Sequence, residues 1–257
     1  MKSFGFAVFL LTAAAPALAF AGPFDGTWTL DLASSKFTGD TISYAKTVTG
    51  YRFSNGATVN FTFALDGKDY PTIPSRTTAW TKAADGGWDS VTKANGNVVS
   101  KAHRAVSADG KILTVAFTVY RPDGTQAHET DVYGRVTGSI GLVGTWRNTK
   151  AQVPGQSMII ATRSGGRFEI TVPEMQETTS GKTDGAPAAV TGPTIPPGAL
   201  AAYKADGRGK WTYAVMLNDL TYERGTMVVS ADGKTLTQTS WVPRKEAEAA
   251  VAVYVKR

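Results

Sequence analysis

The residues here that could do chemistry are two histidines and a few paired acids. His103 and His128 are the histidines, and His128 is followed closely by Glu129 and Asp131. Imidazole beside carboxylate can ligate a metal or haem, or move a proton. Any of these needs the groups together on one face. If this stretch is a strand, alternation sends His128 and Glu129 to opposite faces, which argues against a compact cluster. The histidines then read as surface residues. Glu129/Asp131 and Glu174/Glu177 are candidate acid pairs that read equally well as solvated positions. Neither a Gly-x-Ser-x-Gly elbow nor a phosphate-cradling loop occurs, and Asp and Glu fall mostly in turns. The expectation is no catalytic residue, no metal, no cofactor and no enzymatic activity.

The elements that would position such groups are strands. Val59, Phe61, Phe63 and Leu65 alternate with polar or small residues, as does the stretch from Ile42 to Val48. Asn55-Gly56 between them is a hairpin signal. Asp66-Gly67, Asp85-Gly86, Asn95-Gly96, Asp109-Gly110 and Asp123-Gly124 continue the series. Short strands between such turns predict an antiparallel meander rather than βαβ units. In the first half, strands are expected to begin near residues 26, 41, 57, 76, 87, 97, 111 and 126. Short helices are expected at Ala33 to Phe37 and Arg244 to Ala250. The Gly- and Pro-rich stretch from Gln176 to Leu200 reads as a long, mobile loop.

The chain repeats itself. Gly26-Thr27-Trp28 returns as Gly144-Thr145-Trp146, and Pro71-Thr72-Ile73-Pro74 as Pro193-Thr194-Ile195-Pro196. Ser107-Ala108-Asp109-Gly110-Lys111 returns as Ser230-Ala231-Asp232-Gly233-Lys234, and Val132-Tyr133 as Val253-Tyr254. Constant order and nearly constant spacing point to a tandem duplication with a period too long for a solenoid. The division is 1–21 a signal peptide, 22–137 domain 1 and 142–257 domain 2, joined by Thr137-Gly138-Ser139-Ile140-Gly141. Lys2, the apolar run from Phe4 to Ala13 and Ala19-Phe20-Ala21 give the segment its export character, with cleavage after Ala21 or Ala19. A periplasmic or secreted location follows as an expectation. There is no cysteine, so neither disulfides nor thiolate metal sites are available. The net charge of +6 comes from scattered basic residues, which argues against a nucleic-acid stripe. No stretch after the N-terminal segment predicts stable membrane insertion, and the oligomeric state is open.

Gly26-Thr27-Trp28 with Ser35-Lys36-Phe37, Asp66-Gly67-Lys68-Asp69-Tyr70-Pro71 and Ser107-Ala108-Asp109-Gly110-Lys111 resembles the lipocalin-like (calycin) β-barrels, and more closely a family of small secreted bacterial lipocalin-like proteins. The second copy keeps the ends and the Asp-Gly-Lys turn. The implied fold is all-β: two tandem antiparallel up-and-down lipocalin-like barrels of about eight strands each. The resemblance also implies barrel closure by Trp28 under Arg135 and by Trp146 under Lys256. Finally, it implies a small hydrophobic ligand, sought near the two Pro-Thr-Ile-Pro loops. Phe61, Phe63, Tyr70, Ile73, Trp80, Trp88, Ile195, Tyr203 and Trp211 are the candidate contacts. The default role of the aromatics is core. The alternative is therefore a cell-envelope interaction or structural module with side-chain-filled barrels and no ligand.

Overall fold

Alternating apolar residues and Gly-bearing turns give twenty antiparallel strands in the computed structural model, which describes residues 22–257. In chain order they are β1 (Gly26–Leu30), β2 (Thr41–Lys46), β3 (Tyr51–Ser54), β4 (Asn60–Phe63), β5 (Asp69–Pro71), β6 (Arg76–Lys82) and β7 (Trp88–Ala94). There follow β8 (Asn97–Val106), β9 (Ile112–Tyr120), β10 (Gln126–Thr137), β11 (Gly144–Gln152), β12 (Ser157–Arg163), β13 (Arg167–Val172) and β14 (Glu177–Lys182). The last six are β15 (Asp184–Thr191), β16 (Ala199–Ala205), β17 (Lys210–Leu217), β18 (Leu220–Val229), β19 (Thr235–Trp241) and β20 (Ala250–Lys256). The segment read as a signal peptide, 1–21, lies outside the described residues.

The strands form two antiparallel barrels, and each takes its Gly-Thr-Trp strand from the other copy of the repeat. The first barrel is built from β2 to β11, in the order β4-β3-β2-β11-β10-β9-β8-β7-β6-β5, with its end strands β4 and β5 in contact. The second contains β1 and β12 to β20 and is closed by hydrogen bonds all round. β1 pairs with β12 and β20, while β11 pairs with β10 and β2. The sequence repeat and the sheets are therefore out of phase by one strand. Residues 137–141, read as the domain linker, instead turn β10 into β11 within the first barrel. The real crossings are the segments 31–40 and 153–156. Both copies carry the same first-strand motif, so either strand has the side chains to fit either sheet. Segment 31–40 holds the exchange in place: Lys36 bridges Val251 of the second barrel, and Asp40 and Gly39 bond the backbone of Asn148 in the first.

Each barrel has ten strands, not eight. The additions are β3 and β5 in the first barrel and β14 and β15 in the second. β3 and β5 are only four and three residues long, too short to display a period. β14 and β15 carry Gly181, Gly185 and Pro187, which disguise them, yet they pair with each other and close the second barrel where a mobile loop is expected. The β15–β16 register shifts between Asp184 and Pro187, the kind of irregularity at which a strand tolerates proline. Asn95-Gly96 makes the two-residue turn its sequence predicts, with φ of 50° and 82°. Asn55-Gly56 instead sits in the longer β3–β4 loop, where the Asn55 side chain accepts from the Ala57 and Val59 amides. The helix expected at Ala33 to Phe37 is a turn organised by the Asp31 carboxylate, which accepts from Ala33 N and Ser34 Oγ. The one expected near residue 244 shrinks to a single 3-10 turn, Glu246–Glu248.

The closing tryptophans change partners with the strands. Trp28 lies opposite Lys256 and Trp146 opposite Arg135, each pair within one barrel. The cation-to-ring distances are 5.0 Å for Lys256 and 3.9 Å for Arg135. Both indoles are 0% exposed, and each Nε1–H donates to the carbonyl four residues before it, Phe24 at 2.7 Å and Leu142 at 2.9 Å. A buried indole N–H usually finds an acceptor, and for these two tryptophans both copies supply it in the same way.

Candidate functional site

The barrel interiors, where a hydrophobic ligand is expected, are occupied by the protein's own rings. In the first barrel Phe63 stacks on Trp80 at 4.1 Å, Phe61 lies 5.1 Å from Phe53, and Tyr44, Leu113, Val115 and Trp146 complete the buried cluster. Tyr70 packs against that cluster and bonds Asp66 through its hydroxyl. Trp88 joins it from beneath Lys82, whose Nζ is 3.7 Å from the ring. In the second barrel Trp211 stacks on Phe24 at 3.9 Å, and Tyr203 packs against Phe168, Trp211 and Tyr213. A recess of about 330 Å³ among the residues of the first core is lined by Phe61, Ile73 and Trp80, but also by the cationic Arg76 and Arg104. Arg104 is buried, bonded to Tyr44 and Ser90, with its guanidinium 4.1 Å from the Trp80 ring. The reading of a carrier holding a small hydrophobic ligand in a lipocalin-like barrel is thereby overturned. The rings that would line a cavity fill it instead.

The two Pro-Thr-Ile-Pro loops are not open mouths either. Arg76 and Asn95, next to the first loop, donate to the carbonyls of Thr194, Pro193 and Ile195 in the second. Ile195 therefore belongs to a contact between barrels. Arg76 and Glu177 also face one another across it. Burial lowers the guanidinium pKa and raises the carboxyl, and their mutual attraction opposes both shifts.

The polar chemistry gathers in a cleft of about 270 Å³ between the barrels. Segment 31–40 supplies Phe37, Thr38 and Asp40; β10 supplies Glu129 and Asp131; β11 supplies Asn148. The second barrel supplies Glu223 from β18, Ser240 and Trp241 from β19, and Glu248. Glu129 and Asp131 share one face of β10 with buried Ala127 and Tyr133, so they face inward, while His128 faces out. Tyr133 donates to Asp131 at 3.2 Å, and Asn148 also bonds this pair. Asn148 is 4% exposed, and its Oδ1 has no hydrogen-bond partner. Trp241 Nε1 has none either. Glu223 accepts from Tyr213, whose hydroxyl also accepts from Gln238. At the rim, Glu248 accepts from Thr41 N and Oγ1 and pairs with Lys245 at 2.5 Å; Lys245 also bonds the carbonyls of Thr41 and Asn55.

Burial and like charge shape the protonation of the cleft. Burial, then the charge of Asp131, pushes Asp40 up to about 6. The same two causes push Glu129 up to about 7. Burial also raises Asp131 and Glu223 against the hydrogen bonds they accept. Glu248 goes the other way: burial would raise it, but bonds from Lys245 and Thr41 together hold it low.

The candidate pair Glu174/Glu177 is split by the fold: Glu174 accepts from Ser157, whereas Glu177 faces Arg76. His103 is set outward between Asp85 and Asp89, at 3.1 and 2.7 Å. Among the described residues no three His, Cys, Asp or Glu side chains are arranged to hold a metal ion, and no helix is long and apolar enough to cross a membrane. Glu129 and Asp131 were visible in the sequence as a pair. The signal of their burial is the period-2 series of which they are the middle members, with Ala127 and Tyr133 at its ends.

The chain matches no family model, and searches of curated proteins and of solved structures find no match either.

Proposed function

We propose that the protein is a non-enzymatic interaction module of the cell envelope, exported by its N-terminal segment and made rigid by two filled barrels. The observation that carries this reading is the packing of aromatic rings through both interiors. A carrier needs a cavity, whereas a scaffold needs a core. The exchanged strands and the contacts at Arg76, Asn95 and Lys245 support the second role, because they fix two surfaces relative to one another. The lipocalin-like motifs and the basic, then apolar, N-terminal segment support a secreted calycin-like ancestry.

The test is native mass spectrometry of the protein purified from its own cells, with a panel of fatty acids and lipophilic dyes titrated against it. A bare polypeptide mass and no saturable dye binding are expected. A retained lipid would overturn the reading. N-terminal sequencing checks export: a chain beginning at Gly22 or Phe20 is expected, and an uncut cytoplasmic chain would remove the envelope part.

A further inference from the structure

We propose that the cleft between the barrels binds one organic cation, an alkylammonium or guanidinium group, presented by a basic side chain of a partner protein or by a free amine. The carboxylates of Asp40, Glu129, Asp131, Glu223 and Glu248 reach this one space from four separate elements. Only Glu248 is neutralised directly, by Lys245 at 2.5 Å. Asp131 and Glu223 accept from the neutral hydroxyls of Tyr133 and Tyr213, and no ion pair among the described residues neutralises them or Glu129. Asp40 feels Lys245 only through space.

A second observation points to a donor from outside. Asn148 is 4% exposed and lines the cleft, yet its Oδ1 is unpartnered. Its amide nitrogen is committed to Asp131 and Tyr133, which leaves the oxygen as the spare acceptor. An orphaned buried acceptor is costly unless a donor reaches it. The spacing of the acids excludes a compact metal shell, since no three of them converge. A larger cation with several N–H donors suits spread acceptors better. Phe37 and Trp241 add aromatic surface, which attracts ammonium and guanidinium groups.

Protonation should compete with the cation. Asp40 and Glu129 carry protons below about 6 and about 7, and Asp131 and Glu223 are also raised. The other groups facing this cluster are Glu248, Lys245, Tyr133 and Tyr213. Affinity should therefore rise with pH through this range and level off above it.

Calorimetric titration of the whole exported chain tests this, with n-butylguanidinium, n-butylammonium and the neutral isostere n-butylurea as probes. Saturable binding of the two cations is expected near pH ~8, falling at least about tenfold near pH ~5, with no binding of the urea. Glu129→Gln and Asp131→Asn should each weaken binding about tenfold. Glu129→Gln should melt no lower than the parent, which separates lost binding from lost fold. A blocked arginine tripeptide and free agmatine form the last comparison. Tighter binding of the tripeptide assigns the cation to a partner protein, and tighter agmatine assigns it to a free amine. Equal binding of n-butylurea, no heat from either cation, or unchanged affinity in Glu129→Gln would overturn the proposal. A bare mass in the lipid test combined with no cation binding removes this site and leaves the interaction module standing.

Discussion

Gly26 and Gly144 precede the two closing tryptophans and have φ of 139° and 137°, a region that disfavours side chains. A Cβ on Gly144 would lie 2.1 Å from the Thr137 carbonyl oxygen, and one on Gly26 would lie 2.6 Å from Lys256 Cε. The first obstacle is backbone and the second a flexible side chain. Gly144→Ala should therefore cost more, about 2–4 kcal/mol in denaturant melts, with Gly26→Ala lower in the series. Arg135 donates to the carbonyls of Gly110, Gly141 and Val143 while stacking on Trp146. Arg135→Lys keeps the charge but loses that fork, and about 1–2 kcal/mol of stability should go with it. At Glu129 the sign reverses. Its folded pKa, about 7, lies above the ordinary carboxyl value of 4.5, so the folded state holds the proton more tightly and stability falls as pH rises between those values. Glu129→Gln removes that loss. Its unfolding free energy, read from denaturant melts, should match the parent at about pH 4 and exceed it at about pH 8 by on the order of 1 kcal/mol once solvent screening is allowed for.

At the scale of elements, the exchange of β1 and β11 makes each barrel depend on the other copy of the repeat. A fragment from residue 155 onward lacks β1, and with it the buried Trp28 that sits opposite Lys256. Alone it should fail to give cooperative unfolding by circular dichroism. Mixed with fragment 22–154 it should fold and elute as one complex. Independent folding of the 155–257 fragment would show that β1 is dispensable. Sixteen of the twenty strands could be anticipated from alternation and Gly turns. β3 and β5 could not, because short strands are stabilised by their neighbours rather than by a pattern of their own. β14 and β15 were hidden by Gly and Pro, residues whose local preference for turns is overruled once the backbone has strands on both sides.

Across the whole molecule, the barrels are held together at two separate points of the shared boundary. Lys245 and Glu248 grip Thr41 and Asn55 at one point, and Arg76 and Asn95 grip the 193–195 loop at another. Lys245 and Glu248 side chains are only 14% and 21% exposed, so removing one partner would leave the other a largely buried, unpaired charge. Lys245→Ala should loosen one side while leaving both cores intact. Faster amide exchange in Thr41–Lys46 is expected, with unchanged near-ultraviolet dichroism from the tryptophans. Unchanged exchange would mean that the remaining contacts hold the arrangement unaided. The cleft exists only at this scale. Its acids come from segments far apart in the chain, and alternation along β10 could place Glu129 and Asp131 on one face without placing Glu223 opposite them.

The pairing of a tryptophan with a cation in each barrel was implied by the family resemblance; the sequence by itself determined the all-β class and the duplication. These follow from period, turn chemistry and repeated motifs, all of which act over a few residues. Only the tertiary structure decided which tryptophan meets which cation, because two copies of one motif compete equally for either sheet and the route of segment 31–40 breaks the tie. It alone also decided that the aromatic residues form cores rather than cavities. Counting rings does not measure the space between them; that depends on strands packed around a closed sheet, and here the rings meet.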